Sequence, residues 1–173
     1  SLSATGDALN MVILPVDFQK DIHRQAVWRL MNVYATDPMG GGQFLPDAQQ
    51  HRLLTQLADW QATRHALILL AWQGEHAVGL LNAFEGFSTF AAQPLLNIHD
   101  LVVHPDARGQ GVGRQLLQAA EAIARERGYC KITLEVLSGN HTAQALYQQQ
   151  GYAAYVLDQA MGVAQFWQKA MSG

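Results

Sequence analysis

Three glycines fall within five residues, Gly109, Gly111 and Gly113, in the run VVHPDARGQGVGRQLLQ, and an amphipathic helical pattern starts at once after them. Glycine is about 1 kcal/mol worse than alanine inside a helix, so a helix that opens on glycines needs a reason. The first turn of a helix leaves backbone N–H groups unpaired at the positive end of its dipole. A phosphate fits there, and without a Cβ in the way its oxygens come close to the backbone. A loop that is glycine-rich only for mobility is the competing reading. Two phosphate-loop patterns fail. GxxxxGK[ST] does not match, because Gly113 is followed by Arg114 and Gln115, and GxGxxG does not match, because the third glycine comes one position early. What remains is RGQGVG, Arg108 to Gly113.

The elements that position this run follow from periodicity. NMVILPV (10–16) reads as a first strand, and residues 17–35 as a helix with Ile22, Ala26, Leu30 and Val33 inward. DPMGGG (37–42) breaks it, and a second helix after Pro46 places Leu53, Leu57 and Trp60 on one side. HALILLAWQ (65–73) is a strand buried on both faces, QGEH (73–76) a hairpin turn, and 77–90 a longer strand expected to leave the sheet after Glu85. LLNIHDLVV (95–103) is the strand that feeds the glycines. The helix beyond them runs to about Arg127, with Val112, Leu116, Ala120 and Ile123 inward, and ends at Gly128. CKITLEV (130–136) alternates as a strand. NHTAQALYQQQG (140–151) is a short helix capped by Asn140 and stopped by Gly151, and YAAYVLD and VAQFWQKAM are read as one or two closing strands. The whole reads as α/β (α+β): a mixed sheet with helices on both faces.

The chain of 173 residues suits a single domain, 1–173, with 49% hydrophobic residues and a net charge of −3. No basic block favours nucleic acid, and no apolar run is long enough to span a membrane. Residues 1–9, SLSATGDAL, lack the parts of a signal peptide and are expected to be disordered or a cloning remnant. One cysteine, Cys130, excludes an internal disulfide and a multi-cysteine zinc site. The histidines at 23, 51, 65, 76, 104 and 141 show no metal spacing, and no metal is expected. A reducing cytoplasm fits.

RGQGVG between a strand and a helix resembles the acetyl-CoA pyrophosphate loop of the GNAT superfamily of N-acetyltransferases. IHDLVVHPDA resembles that family's fourth strand and its exit. The segment 140–152 matches the family's N-x-x-A-x-x-L-Y-x-x-x-G-[FY] pattern at Asn140, Ala143, Leu146, Tyr147, Gly151 and Tyr152. The strong resemblance covers residues 95–152. It implies a mixed, mostly antiparallel sheet of six to seven strands with about four helices and with strands four and five splayed. It further implies acetyl transfer from acetyl-CoA to an amine, by direct attack in a ternary complex.

Carried over residue by residue, the resemblance assigns acetyl-CoA to Leu101, Val102, Val103, Arg108, Gly109, Gln110, Gly111, Val112, Gly113, Arg114, Asn140, Ala143 and Tyr147. Tyr147 is implied as the acid for the leaving thiolate, since a phenol with an ordinary pKa of about 10 can protonate a thiolate whose acid titrates near 8.5. Many family members carry a glutamate one residue before an aspartate on strand four. Here that pair is His99-Asp100, so the glutamate is replaced. Neutral histidine is a reasonable base, and Asp100 is an alternative ammonium site. Adjacent strand residues face opposite sides unless a bulge intervenes, so at most one of the two is expected in the site.

Acceptor recognition is expected from 34–44 and 83–94, with Tyr34, Asp37, Phe84, Glu85 and Phe87 as candidates and Phe44 and Phe90 beside them. An acidic, aromatic pocket suits a cationic small-molecule amine. GFSTF followed by IHDLVV also resembles diamine and polyamine acetyltransferases. A protein or peptide amine, or an acyl-CoA sensor without turnover, are the alternatives. A homodimer through the closing segment is a further candidate, with AQFWQKAM at the interface.

Overall fold

A computed structural model describes residues 10–171. The expectation for residues 1–9 lies outside the described residues. The chain forms two compact units, divided between Leu134 and Glu135.

The first unit is built on a five-stranded sheet in the order β1-β2-β3-β4-β5, with β1 Met11–Pro15, β2 Ala66–Gln73, β3 His76–Ser88, β4 Gln93–Val103 and β5 Ile132–Leu134. β1 to β4 pair antiparallel and β4 pairs with β5 in parallel. β2 is apolar and buried from Ala66 to Trp72, before Gln73 ends it, because it is central and covered on both faces. Gly74 and Glu75 make the turn between β2 and β3, with Gly74 at φ +60°.

Two helices, α1 (Asp21–Thr36) and α2 (Gln50–Ala62), pack on one face of the sheet. Val27, Leu30, Leu54 and Leu57 share a core there with Ile68, Leu70, Leu80 and Val102. A third helix, α3 (Val112–Glu126), lies on the other face through Val112, Leu116, Leu117 and Ala120. It comes so close to Gly79 that a Cβ there would sit 2.6 Å from Val112 Cγ1 and 2.9 Å from Leu116 Cδ1. This glycine is required by close approach. The second unit holds α4 (His141–Gln149) and the chain beyond it.

Several expectations give way. The sheet has five strands rather than six or seven. Residues 152–158 and 163–171 form no strand. Asp158 instead caps a short turn, Gln159–Met161, by accepting the Ala160 N–H, and Gly162 at φ +81° breaks the alternation. Of 130–136, only Ile132–Leu134 forms a strand; Cys130 and Lys131 before it bond Pro94 and Leu96 through the backbone, and the ladder with β4 ends at Ile98. β3 does not leave the sheet after Glu85 but stays paired through Ser88, opposite Gln93. Ile22 and Trp60 are exposed, and Ala124 rather than Ile123 completes the buried stripe of α3.

Candidate active site

The β3–β4 ladder slips by one residue at its centre. Asn82 opposes Asp100 and Ala83 opposes Ile98, so His99 is the extra residue of a β-bulge. The consequence is chemical. Asn82 and Phe84, two apart on β3, share the face covered by α1 and α2. Asn82 donates to Asp100 Oδ2 at 3.0 Å. The Phe84 ring meets His99 edge-on at 5.7 Å. Both members of the pair therefore lie on one face, and the expectation that at most one could do so is corrected by the bulge.

Their environments differ. Asp100 is 9% exposed and His99 is open to solvent. Among the described residues no lysine, arginine or histidine is ion-paired with Asp100, whose hydrogen bond comes from a neutral amide. Its charge reaches Tyr34 on α1. Burial first, then the charges of Asp100 and Asp37, raises the Tyr34 hydroxyl above the ordinary tyrosine value. Asp37 caps the turn Pro38–Gly40 through the Met39 N–H at 2.9 Å, and its other oxygen lies 3.6 Å from Arg108.

The glycine run sits between β4 and α3. Gly109 and Gly111 adopt φ +78° and +80°, backbone that L side chains rarely take, and Gly111 is the N-cap of α3. An ordinary N-cap would accept hydrogen bonds from the first-turn N–H groups with a side-chain oxygen. Glycine has none, so the amides of Val112, Gly113 and Arg114 stay uncapped. Arg108 and Arg114 are exposed beside them, and Gln110 is tied to Gln73 by a 2.7 Å hydrogen bond. An open cradle of amides flanked by guanidinium groups fits a pyrophosphate. On β4, the ladder with β5 stops at Ile98 while the strand runs on to Val103, so on that side Leu101, Val102 and Val103 have no ladder partner among the described residues. The Val102 side chain is core.

In the second unit Asn140 Oδ1 accepts the Ala143 N–H at 3.2 Å, the expected cap. Gly151, at φ +91°, ends α4, and the Tyr152 N–H returns to the Tyr147 carbonyl at 2.9 Å. Tyr147 is half-buried, with its ring 6.1 Å from that of Tyr152.

The acceptor candidates separate. Tyr34, Asp37 and Phe84 lie with His99 and Asp100. Glu85 and Phe87 do not, because alternation along β3 sends them to the face opposite Phe84. Phe44 and Phe90 are exposed. Three residues escaped the sequence reading. Trp60 packs edge-on against Phe84 at 5.6 Å, extending a ring row Trp60–Phe84–His99. Asn82 holds Asp100, and Met31 places its sulfur 3.1 Å from the Asn82 amide. A lone asparagine inside the apolar strand AVGLLNAF was the available signal for Asn82. Among the described residues no group of three or more His, Cys, Asp or Glu is arranged to hold a metal, and no helix is long and apolar enough to cross a membrane.

A family profile, "Acetyltransferase (GNAT) family", matches residues 27–152. The "Uncharacterized N-acetyltransferase YhfO" of Bacillus subtilis is 33% identical over 87 residues, 50% of this chain and 58% of that protein. The streptothricin acetyltransferase of Streptomyces lavendulae is 40% identical over 85 residues, 49% of this chain and 45% of that protein. The chain thus spans about half the length of these curated relatives. Among solved structures, an aminoglycoside acetyltransferase from an uncultured soil metagenomic sample, in complex with sisomicin, superposes with a TM-score of 0.73 at 17% identity, covering 93% of this chain and 97% of that one. At that identity the likeness concerns the fold alone.

Proposed function

The chain belongs to the acetyltransferase (GNAT) family, and we propose that it transfers an acetyl group from acetyl-CoA to a primary amine of a cationic small molecule by direct attack in a ternary complex. The observation that carries this reading is the bulge at His99. It sets an exposed imidazole and a buried carboxylate, which has no cationic partner among the described residues, on one face of the strand that leads into a helix start without a side-chain cap. Acetyl-CoA supplies the acetyl thioester. The backbone of Gly109–Arg114, with Arg108 and Arg114, holds its pyrophosphate. The unpaired edge of Leu101–Val103 takes its pantetheine arm, and a backbone N–H near Leu101 polarises the thioester carbonyl.

The amine arrives as an ammonium ion. Removing a proton from a lysine-like amine at pH 7 costs about 4.6 kcal/mol. Asp100 holds the cation, and the acidic, aromatic surround of Tyr34, Asp37 and Phe84 favours its approach. His99, open to solvent, takes the proton directly or through water, since imidazole is the side chain whose ordinary titration lies nearest neutrality. The family pattern assigns Tyr147 to the departing sulfur as proton donor, and Asn140 and Ala143 to the cofactor. A diamine or polyamine acceptor agrees with the unpaired charge of Asp100.

Residues 1–173 act as one acetyltransferase domain, the family match crossing the division at Leu134. The exposed Phe166 and Trp167 support a homodimer, and the single thiol, Cys130, supports work in the cytoplasm.

The test is free-thiol release from acetyl-CoA across polyamines, amino acids, aminoglycosides and short peptides, with wild type and Tyr147→Phe. Release with one class of cationic small amine, reduced about a hundredfold or more in the variant, is expected. Equal turnover in the two proteins would overturn the role of Tyr147. Release only with peptides would overturn the small-molecule acceptor, and tight acetyl-CoA binding without release would leave a sensor.

A further inference from the structure

Asn82 and Asp100 are the buried polar side chains of the first unit's sheet, at 2% and 9% exposure. They face each other across the β3–β4 ladder, at the last in-register pair before the bulge. The Asn82 Nδ2 donates to Asp100 Oδ2 at 3.0 Å and lies 3.1 Å from Met31 Sδ on α1. The amide is thus held from two sides, by a strand partner and by a helix. Asn82 Oδ1 is buried and has no hydrogen-bond partner among the described residues. Leaving an acceptor unsatisfied in the interior is costly, so such a group asks for an explanation. A leucine in its place, at the centre of LLNAF, would pack without that cost.

We propose that Asn82 is a positioning residue for the acceptor amine: it fixes the Asp100 carboxylate through one oxygen, leaving the other to take the ammonium group. The choice of an amide is what matters chemically. A lysine or arginine at this position would neutralise Asp100 and abolish its pull on a cation. A neutral donor orients the carboxylate while leaving its full charge in place, in surroundings where charge is poorly screened. The register explains why the donor comes from position 82: in the ladder that starts at Gly79–Val103, Asp100 stands directly opposite Asn82, and the bulge at His99 begins only after this pair. The Asp100 charge also acts on Tyr34, whose hydroxyl is held above the ordinary tyrosine value by burial first and then by that charge. This inference rests on Asp100 as the ammonium site proposed above.

The experiment is a double-mutant cycle on the full chain with the best amine of the panel, using Asn82→Leu, Asp100→Asn and the double variant. Steady-state constants for amine and acetyl-CoA are read separately. Asn82→Leu should raise the amine KM about tenfold or more. It should leave kcat and the acetyl-CoA KM within about threefold. An amine that is uncharged at the assay pH, such as an aromatic amine, should be little affected. In the Asp100→Asn background the second substitution should add nothing, because Asn82 acts only through that carboxylate. Asn82→Ser, which keeps a polar group of smaller volume, carries the same test if the leucine variant does not fold. Additive effects in the cycle, or equal losses for charged and uncharged amines, would overturn the positioning role while leaving Asp100 as the ammonium site. An amine KM unchanged in Asp100→Asn would overturn Asp100 as that site, and Asn82 with it. Absence of wild-type turnover with every amine would overturn the enzymatic reading itself.

Discussion

Replacing Gly79 by alanine tests how tightly the packing of α3 is tied to the loop at its start. The added Cβ would lie 2.6 Å from Val112 Cγ1, 2.9 Å from Leu116 Cδ1 and 3.3 Å from Ala71 Cβ. Ordinary carbon contacts begin near 3.5 Å, so the first of these must open by about 0.9 Å. Leu116 can yield by rotating its side chain. Val112 cannot, because its β-branch is stiff at χ1, and it is the first residue of α3. The helix start itself must move away from the sheet. Overpacking of this kind costs about 1–3 kcal/mol, and exchanging glycine for alanine within a strand returns about 0.5–1 kcal/mol. A net loss of about 1–2 kcal/mol corresponds to a fall of about 2–8 °C in Tm for a chain of this size.

Gly86, on the same strand, is the control. Its Cβ would meet only the Leu95 side chain, 3.1 Å from Cδ1 and 3.5 Å from Cγ, a flexible neighbour. Gly86→Ala should stay within about 0.5 kcal/mol of wild type. Thermal unfolding of the three proteins reads the packing, and calorimetric titration with acetyl-CoA reads the loop. Gly79→Ala should lower Tm and weaken acetyl-CoA binding several-fold, and Gly86→Ala should do neither. A Tm for Gly79→Ala equal to wild type would refute the close approach. A lowered Tm with unchanged affinity would separate the packing from the pyrophosphate cradle and refute the link between them.

Gly111→Val places a β-branched residue at φ +80° and brings its Cβ to about 3.4 Å from the Arg114 guanidinium. Strain of about 1–3 kcal/mol at the N-cap should lower Tm and weaken acetyl-CoA binding about tenfold or more, read by the same titration; unaltered affinity would remove the loop from the cofactor site. His23 supplies a pH dependence. Its Nδ1 accepts the Asp17 N–H at 2.9 Å, which only the neutral ring can do, and its pKa is lowered from 6.5 by burial and then by Lys20, with Asp17 opposing. The unfolded chain therefore takes up this proton more readily than the folded one. The stability it contributes is fully present above about pH 6.5 and is lost as pH falls through the folded value. Tm measured from pH 7.5 to 5 should fall less steeply in His23→Gln than in wild type, and parallel curves would contradict the assignment.

Much of the first unit is legible in short strings because its signals are local. The turn at Gly74–Glu75, the glycine N-cap of α3 and its stop at Gly128 each depend on backbone that neighbouring residues alone dictate. The same holds for the Asn140 cap and the Gly151 stop of α4. RGQGVG is legible for the same reason, since its glycines mark backbone at positive φ and a helix start without a side-chain cap. What is not legible depends on a partner strand or helix distant in sequence. Trp60 falls in step with the inward stripe of its helix and meets Phe84 on the strand beneath, yet it stays half-exposed. The segments 152–158 and 163–171 are rich in the apolar and aromatic residues of strands, but composition does not supply a partner. A ladder needs an edge to join, and Asp158 and Gly162 divert the backbone first.

The bulge at His99 shows why a reading of the active site stops where it does. The string NIHDLVV is compatible with His99 and Asp100 on opposite faces, and in a regular ladder they would be. Which face each of them takes is decided by the pairing with β3. Asn82 stands opposite Asp100, Ala83 opposite Ile98 and Phe84 opposite Asn97, so the slip between the first two pairs leaves His99 outside the ladder, where its ring meets Phe84. The slip leaves one residue without a ladder partner, a local cost that the amide–carboxylate bond and the ring contact offset. The chemistry of the pair therefore resides in a relation between β3 and β4. Changing Asn82 should disturb Asp100 more than any change to the residues beside it on its own strand.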